Sequence, residues 1–255
     1  MFRFASLGSG SRGNATLVQS DTTTLLIDCG YPVRELVRRT GLLGVDPATI
    51  DAVLVTHEHG DHMRGVGALV RRFGMPVWMS HGTWRAADYG KVERLQLFNS
   101  HDGPLVLGNL EVMPVAVPHD AREPTQFVLR HAGFALGLLT DLGSHTPHLA
   151  RCYAELDGLL LECNHDPRML AEGPYPPSLQ ARVGGNYGHL NNGQAADFLR
   201  SINHARLRHL VAAHLSEKNN RPELASAALC GAVPAIESRL TLLQQGVPSD
   251  WFELA

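Results

Sequence analysis

One ten-residue stretch constrains this chain more than any other: Val53-Leu54-Val55-Thr56-His57-Glu58-His59-Gly60-Asp61-His62. Its apolar, β-branched start reads as a buried strand ending at Thr56, and three histidines and an aspartate follow within six residues. His57 and His59 are two apart, so an extended backbone turns both imidazoles the same way. Gly60 allows a sharp turn, and Asp61 with His62 opens the next helix. Two nitrogens then converge on one point, and an oxygen with a third nitrogen converges on another close by. Imidazole and carboxylate ligands suit zinc, manganese or iron rather than a thiolate centre. The stretch is not a zincin helix, because Asp61 stands where that motif places its second histidine. A His-rich surface turn is the plain alternative, but a solvated turn gives no reason for a buried strand to lead into it.

The rest of the chain is read for partners to this motif. At 255 residues, 44% of them hydrophobic, it supports one large domain over 1–255 with an ample core. No window approaches the ~18 uninterrupted apolar residues of a membrane span. The start, Met1 to Gly8, lacks the basic segment and longer apolar run of a secretory signal. Cys29, Cys152, Cys163 and Cys230 form no Cys-x-x-Cys pair, so reduced thiols in a cytoplasmic protein are expected. A net charge of −3 argues against blanket binding to nucleic acid. Two local basic clusters, Arg34/Arg38/Arg39 and Arg64/Arg71/Arg72, read as solvated helix faces, with phosphate contact as the alternative.

Short strands are expected at Phe2 to Leu7, Thr16 to Gln19, Leu25 to Asp28, Asp51 to Thr56 and Pro76 to Met79. A second set runs Leu105 to Leu107, Leu110 to Val117, Phe127 to Arg130, Phe134 to Thr140, Leu159 to Glu162 and Leu210 to Ala213. Helices are expected at Pro32 to Arg39, Arg64 to Phe73, Thr83 to Tyr89, Pro147 to Glu155, Asn192 to Ile202 and Pro222 to Gly231. Two strand-rich halves, each trailing helices, predict an α+β four-layer αββα sandwich. Residues 8–14, Gly-Ser-Gly-Ser-Arg-Gly-Asn, are either a hairpin turn or a loop that offers backbone N–H groups to a phosphate. His57, His119, Asp141 and His214 all lie at or just after apolar strands. Strand ends on one rim of a sandwich converge, so these four distant residues are expected to meet.

The Thr-His-x-His-x-Asp-His pattern resembles the metallo-β-lactamase superfamily. That resemblance implies one metal held by His57, His59 and His119, and a second held by Asp61, His62 and His214, with Asp141 bridging. Two divalent metal ions are thus implied, zinc or manganese/iron. Further stretches are similar to a narrower group, the YycJ/WalJ-type bacterial proteins, and the similarity runs over nearly the whole chain. These stretches are Gly8-Ser9-Gly10-Ser11-x-Gly13-Asn14, Pro118-His119-Asp120-Ala121, Glu162-x-Asn164-His165-Asp166, Gly188-His189-Leu190-x-Asn192 and Ala213-His214-Leu215-Ser216. Members are described as metal-dependent 5′-to-3′ DNA exonucleases, so DNA is the implied substrate. Two cations lower the pKa of a shared water and clamp phosphodiester oxygens as charge builds up. Asp61 is expected to orient the attacking hydroxide. His189 is the candidate for transition-state stabilisation or leaving-group protonation, against an alternative role as a capping or supporting histidine.

Supporting residues are assigned more loosely. Glu162 and His165 are read either as partners that orient ligand histidines or as local structure. Asn191 or Asn192 is expected to cap the following helix. Lys218, Asn219 and Asn220 are either phosphate contacts or a polar surface loop. The nine other histidines, His81, His101, His131, His145, His148, His165, His189, His204 and His209, are not counted as ligands. The same seven ligands also serve a small-molecule phosphodiesterase or a glyoxalase-II-like thioester hydrolase. The stretch after His214 is short for the helical region the latter carries. A different class remains: a nucleic-acid-binding module that kept the fold without catalysis.

Overall fold

The computed structural model describes every residue except 88–91, 93, 203 and 204; for residue 234 only the backbone is described. The apolar runs pair into two sheets. The first contains β1 (Phe2–Gly8), β2 (Ala15–Ser20), β3 (Thr24–Ile27), β4 (Ala52–Leu54), β5 (Val77–Ser80) and β6 (Leu95–Phe98), in that spatial order. The second contains β7 (Leu105–Leu107), β8 (Leu110–Ala116), β9 (Thr125–His131), β10 (Phe134–Leu139), β11 (Gly158–Glu162), β12 (His209–Ala213) and β13 (Leu240–Leu242). A terminal strand, β14 (Phe252–Glu253), returns to pair with β1. Each sheet has an antiparallel part and then a parallel part: β14 through β3 alternate and β3 through β6 run together, while β7 through β10 alternate and β10 through β13 run together. The two halves therefore repeat one pairing scheme without a visible sequence repeat.

Side-chain alternation divides each central strand between two environments. Ala52 and Leu54 of β4, Leu160 of β11, and Val211 and Ala213 of β12 meet between the sheets with Phe4, Phe127 and Leu138. Their neighbours face outward. Val53 packs under α1 (Val33–Leu42) and, beyond the short α2 (Gly60–Met63), under α3 (Val66–Phe73) through Leu36, Val66 and Leu69. After α4 (His81–Ala86) come α5 (Pro147–Cys152), α6 (Pro167–Glu172), α7 (Pro177–Val183), α8 (Asn192–Ser201) and α9 (Pro222–Ala232). Leu159, Leu161 and Leu210 pack outward against Leu149 of α5, Phe198 of α8 and Leu229 of α9. Strands covered on both faces are continuous apolar runs for this reason, and each fully buried Leu, Val or Phe contributes about 1.5–3 kcal/mol. The result is the four-layer αββα sandwich expected from the sequence.

Some boundaries differ from the sequence reading. The helix expected over Thr83 to Tyr89 runs His81–Ala86, because Ser80 accepts a hydrogen bond from the Thr83 amide and starts it earlier; Tyr89 lies outside the described residues. Thr146 caps α5, which ends at Cys152 rather than at Glu155, where the backbone turns to φ +61°. Strands β6, β13 and β14 and helices α6 and α7 are additions to the expected set. Among the described residues, no helix is long and apolar enough to cross a membrane.

Candidate metal centre

Strand direction assembles the site. The parallel strands β3, β4, β10, β11 and β12 lead out at one edge of the sandwich, as does β8, which two antiparallel pairings align with β10. Asp28, His57, His119, Asp141, Glu162 and His214 lie at or just beyond those strand ends. Ligand sites in sheets with parallel strands gather outside the carboxyl ends for this reason. Three of the residues adopt left-handed backbone: Asp28 (φ 62°), Asp141 (φ 55°) and His214 (φ 55°). Such conformations cost roughly 1–3 kcal/mol each in a non-glycine residue and collect where a side chain must be aimed.

The imidazoles and carboxylates form two adjoining groups. In the first, His57 Nε2 lies 3.0 Å from His59 Nδ1, and His119 Nε2 lies 3.2 Å from the same atom. In the second, His62 Nε2 is 3.6 Å from Asp61 Oδ2, which is 3.7 Å from His214 Nε2. Asp141 connects the two, with Oδ2 3.2 Å from His62 Nε2 and a further grouping with His57 and His62. The ligand-type atoms within each group all lie within 4.8 Å of one another.

Buried carboxylates orient these rings. Asp28 Oδ2 accepts from His62 Nδ1 at 2.7 Å, while the same carboxylate takes the Thr56 amide at 2.8 Å and the Thr56 hydroxyl at 2.9 Å. That fixes the proton on Nδ1 and turns Nε2 toward Asp61 and Asp141. Glu162 Oε1 accepts from His214 Nδ1 and His189 Nδ1, both at 2.9 Å, and from the Asp141 amide at 3.2 Å. Its Oε2 accepts the Leu142 and Leu190 amides at 3.2 and 2.9 Å. His119 Nδ1 donates to the Gly188 carbonyl at 2.9 Å, leaving Nε2 for the first group. Asp120 stands 3.8 Å from His59 Nε2 and receives the Arg182 guanidinium.

The donor set fits divalent cations. Asp141 Oδ2 and His214 Nε2 are buried and lack any hydrogen-bond partner, although a polar atom left so costs about 1–3 kcal/mol. A cation accepting both lone pairs removes that cost. Burial opposes charge on His62 and His214, but Asp141 overrules it and raises both imidazoles, His214 to about 10, so a cation there would take the place of their Nε2 protons. Burial works to raise the Asp141 carboxyl, but the His214 and His62 charges overrule it and hold it well below the usual carboxylate range. Burial likewise opposes the Glu162 charge, yet the charge and hydrogen bond of His189 with the His214 bond bring it down to about 2. At His57 burial dominates, seconded by His62, and keeps the imidazole well below its ordinary value, in the neutral form that can ligate.

All seven sequence-predicted ligands, His57, His59, Asp61, His62, His119, Asp141 and His214, are brought together, and His189 lies beside them with its ring 5.2 Å from those of His119 and His214. Glu162 is an orienting partner. His165 is not: its buried Nδ1 has no partner, and its backbone instead pairs with Asn191 and Asn192. Asn191 caps α8 with a full capping box through Gln194. Asn219 and Asn220 are buried rather than part of a surface loop; Asn220 ties the Cys163 carbonyl to Asn192. In the loop at 8–14 the amides of Gly8, Gly10, Arg12 and Gly13 are spent on Ser6, Asn14, Gln245 and the Gly10 carbonyl, while Ser11 lines the cavity over the cluster.

Sequence reasoning gave no role to Asp28, Asp120 or Asn14, although the last two stand in the stretches similar to the YycJ/WalJ group. Asn14 Nδ2 lies 3.3 Å from Asp61 Oδ2, and its amide donates to the Asp61 carbonyl at 2.7 Å. Gly30 makes that approach possible, because a Cβ there would sit 1.7 Å from the Asp61 carbonyl oxygen. Asp28 shares the strand-end signal of the ligands, but an acidic residue before a Cys-Gly turn also reads as turn chemistry. A cavity of about 320 Å³ opens over the cluster, lined among others by Asp61, Asp141, His189, His214 and Arg182.

Residues 8–161 match the family model of the metallo-β-lactamase superfamily, a span that ends before Glu162, His189 and His214. The chain is 34% identical over 227 residues to exodeoxyribonuclease YycJ of Bacillus anthracis, covering 87% of this chain and 85% of that protein. It is 32% identical over 229 residues to exodeoxyribonuclease WalJ of Streptococcus pneumoniae, covering 88% and 85%. The crystal structure of the metallo-β-lactamase fold protein YhfI from Bacillus subtilis superposes with a TM-score of 0.75 at 17% identity, covering 98% of this chain and 100% of that one. Sheets, strand-end cluster and sequence similarity agree: the chain belongs to the metallo-β-lactamase superfamily of metal-dependent hydrolases, in the group that contains YycJ and WalJ.

Proposed function

We propose that this chain is a metal-dependent DNA exonuclease, acting from the 5′ end as a single hydrolase domain over 1–255. The observation that carries the reading is the convergence of seven ligand-type side chains on two adjoining points beneath a polar cavity, in a relative of two exodeoxyribonucleases. His57, His59 and His119 would hold one divalent ion and Asp61, His62 and His214 the other, with Asp141 between them; zinc, manganese and iron all suit this donor set. Such ions supply Lewis-acid clamping of the phosphodiester oxygens and a water acidic enough to attack at neutral pH. Asp61, held in place by Asn14, would orient the attacking water. His189 commits Nδ1 to Glu162, which leaves Nε2 to stabilise charge on the phosphate or to protonate the leaving oxygen. Asp28 and Glu162 act by fixing ring orientation. The four free thiols suit a reducing, cytoplasmic location.

The test is shortening of internally labelled DNA bearing a 5′-phosphate or a 5′-hydroxyl, with zinc and manganese forms side by side and Asp61→Ala as control. Stepwise loss from the 5′ end, absent in Asp61→Ala, is the expected result. DNA left intact in every metal form overturns the reading. The cavity's modest size also admits a small phosphodiester, so a cyclic nucleotide is run as the competing substrate.

A further inference from the structure

One wall of the cavity is built by helix α7, which has no fully buried side chain. Two of its apolar side chains, Leu179 and Val183, nevertheless line the cavity together with Tyr175. They are four residues apart and so share one helix face. Tyr175 stands in Pro174-Tyr175-Pro176-Pro177. A residue before proline is confined to extended backbone, and Pro176 itself is extended at φ −58° and ψ 152°. The ring is therefore presented by stiff chain, with little freedom left to lose on binding. The Lys218 ammonium lies 5.6 Å from the ring centroid, a cation–π contact that steadies it further.

The cavity thus joins two chemistries. Its floor of imidazoles and carboxylates would hold cations that attract a phosphate, and its aromatic and aliphatic wall suits a flat group with an apolar face. At about 320 Å³ it lies at the lower end of the ~300–1,000 Å³ spanned by small-ligand pockets, room for one unit of a polymer rather than several. We propose that the cavity is a single-nucleotide subsite, in which the base of the terminal nucleotide lies against Tyr175, Leu179 and Val183 while its phosphate sits over the histidine–aspartate cluster. This rests on the phosphodiesterase reading of the centre and adds where the nucleotide is held.

Equilibrium binding to the metal-loaded protein separates the wall from the floor. The probes are dAMP and 2-deoxyribose 5-phosphate, which share sugar and phosphate and differ by the base. Wild-type protein is expected to prefer dAMP by about tenfold, within the range found for base–aromatic stacking. Tyr175→Ala is expected to bring the two ligands within about twofold by removing that stack, whereas Tyr175→Phe keeps the preference. Equal affinities in wild type, or a preference that survives Tyr175→Ala, overturn the proposal. The DNA-shortening assay is run on the same preparations. Intact DNA with a Tyr175-dependent dAMP preference keeps the subsite and removes the exonuclease reading. DNA shortening without that preference keeps the exonuclease and removes the subsite.

Discussion

Glu162→Gln is the most exposed point of this description, because one buried carboxylate serves five donors. Oε1 takes His189 Nδ1, His214 Nδ1 and the Asp141 amide, and Oε2 takes the Leu142 and Leu190 amides. A glutamine offers one oxygen and one NH₂, so whichever way the amide turns, at least two donors face another donor. Hydrogen bonds to a charged acceptor are worth about 1.5–3 kcal/mol each, which puts the loss at roughly 3–6 kcal/mol. In a chain of this size each kcal/mol lowers Tm by about 2–4 °C, so a fall of roughly 6–24 °C is expected in thermal unfolding. The second consequence concerns the ligands. With Oε1 or Oε2 replaced, His214 loses its fixed proton position or the loop at Asp141 and Leu142 loses its anchor. Divalent-ion affinity should drop by about 10–100-fold, measured by titration against a chelator. A Tm within about 2 °C of wild type, together with unchanged ion affinity, would refute the reasoning.

Asp28→Asn keeps the size of the side chain but cannot accept from the Thr56 amide and His62 together, because they bond different oxygens. Ion affinity is expected to fall by about 10–100-fold, and an unchanged titration would remove Asp28 from the centre. Gly30→Ala places a methyl 1.7 Å from the Asp61 carbonyl oxygen, so the metal-motif turn must move. A loss of about 3 kcal/mol or more is expected in chemical denaturation, and a shift under about 0.5 kcal/mol would contradict the packing described. Burial pushes the Cys29 thiol up to about 12 and raises Cys163 likewise, whereas Cys152 and Cys230 are partly exposed. Iodoacetamide at neutral pH should therefore label Cys152 and Cys230 in the folded protein and reach Cys29 and Cys163 only after unfolding. Mass spectrometry reads the order, and early labelling of Cys29 would contradict its burial.

The legible part of the site follows from two periodicities. A strand covered on both faces must be apolar throughout, so the polar residue that ends it stands out. His57, His119, Asp141 and His214 are visible in the sequence for that reason, and the close spacing of His59, Asp61 and His62 supplies the rest. Asp28 obeys the same rule but is masked by the turn that follows. Glu162 shows only as one of two possible supporting residues, because nothing local distinguishes it from His165. What separates them is long-range: Glu162 ends β11 between β10 and β12, whereas His165 lies two residues past Cys163 with its backbone engaged by α8. Two of the edge strands escape the sequence reading for a related reason. β13 and β14 are three and two residues long, too short for alternation to register, and β14 exists only because β1 offers it an edge. Helix α7 lacks a buried face, so no periodic apolar stripe announces it.

The two halves share one pairing scheme, and both send parallel strands toward the same edge. That arrangement lets residues more than a hundred positions apart converge without a dedicated loop to carry them. It also explains why the carboxylates that do not ligate matter as much as those that do. Asp28 and Glu162 bind the histidine rings and the backbone of neighbouring strands at once, so ligand orientation and strand-end geometry stand or fall together.

Metal content per chain is the measurement that bears most directly on the strand-end centre. Protein reconstituted with zinc or manganese and freed of loose ions is analysed by mass spectrometry of the elements, alongside His119→Ala and His214→Ala. Two ions per wild-type chain are expected, with each substitution weakening one ion and sparing the other. A single ion in wild type, or two ions retained at wild-type affinity in both variants, would contradict the two-cation arrangement.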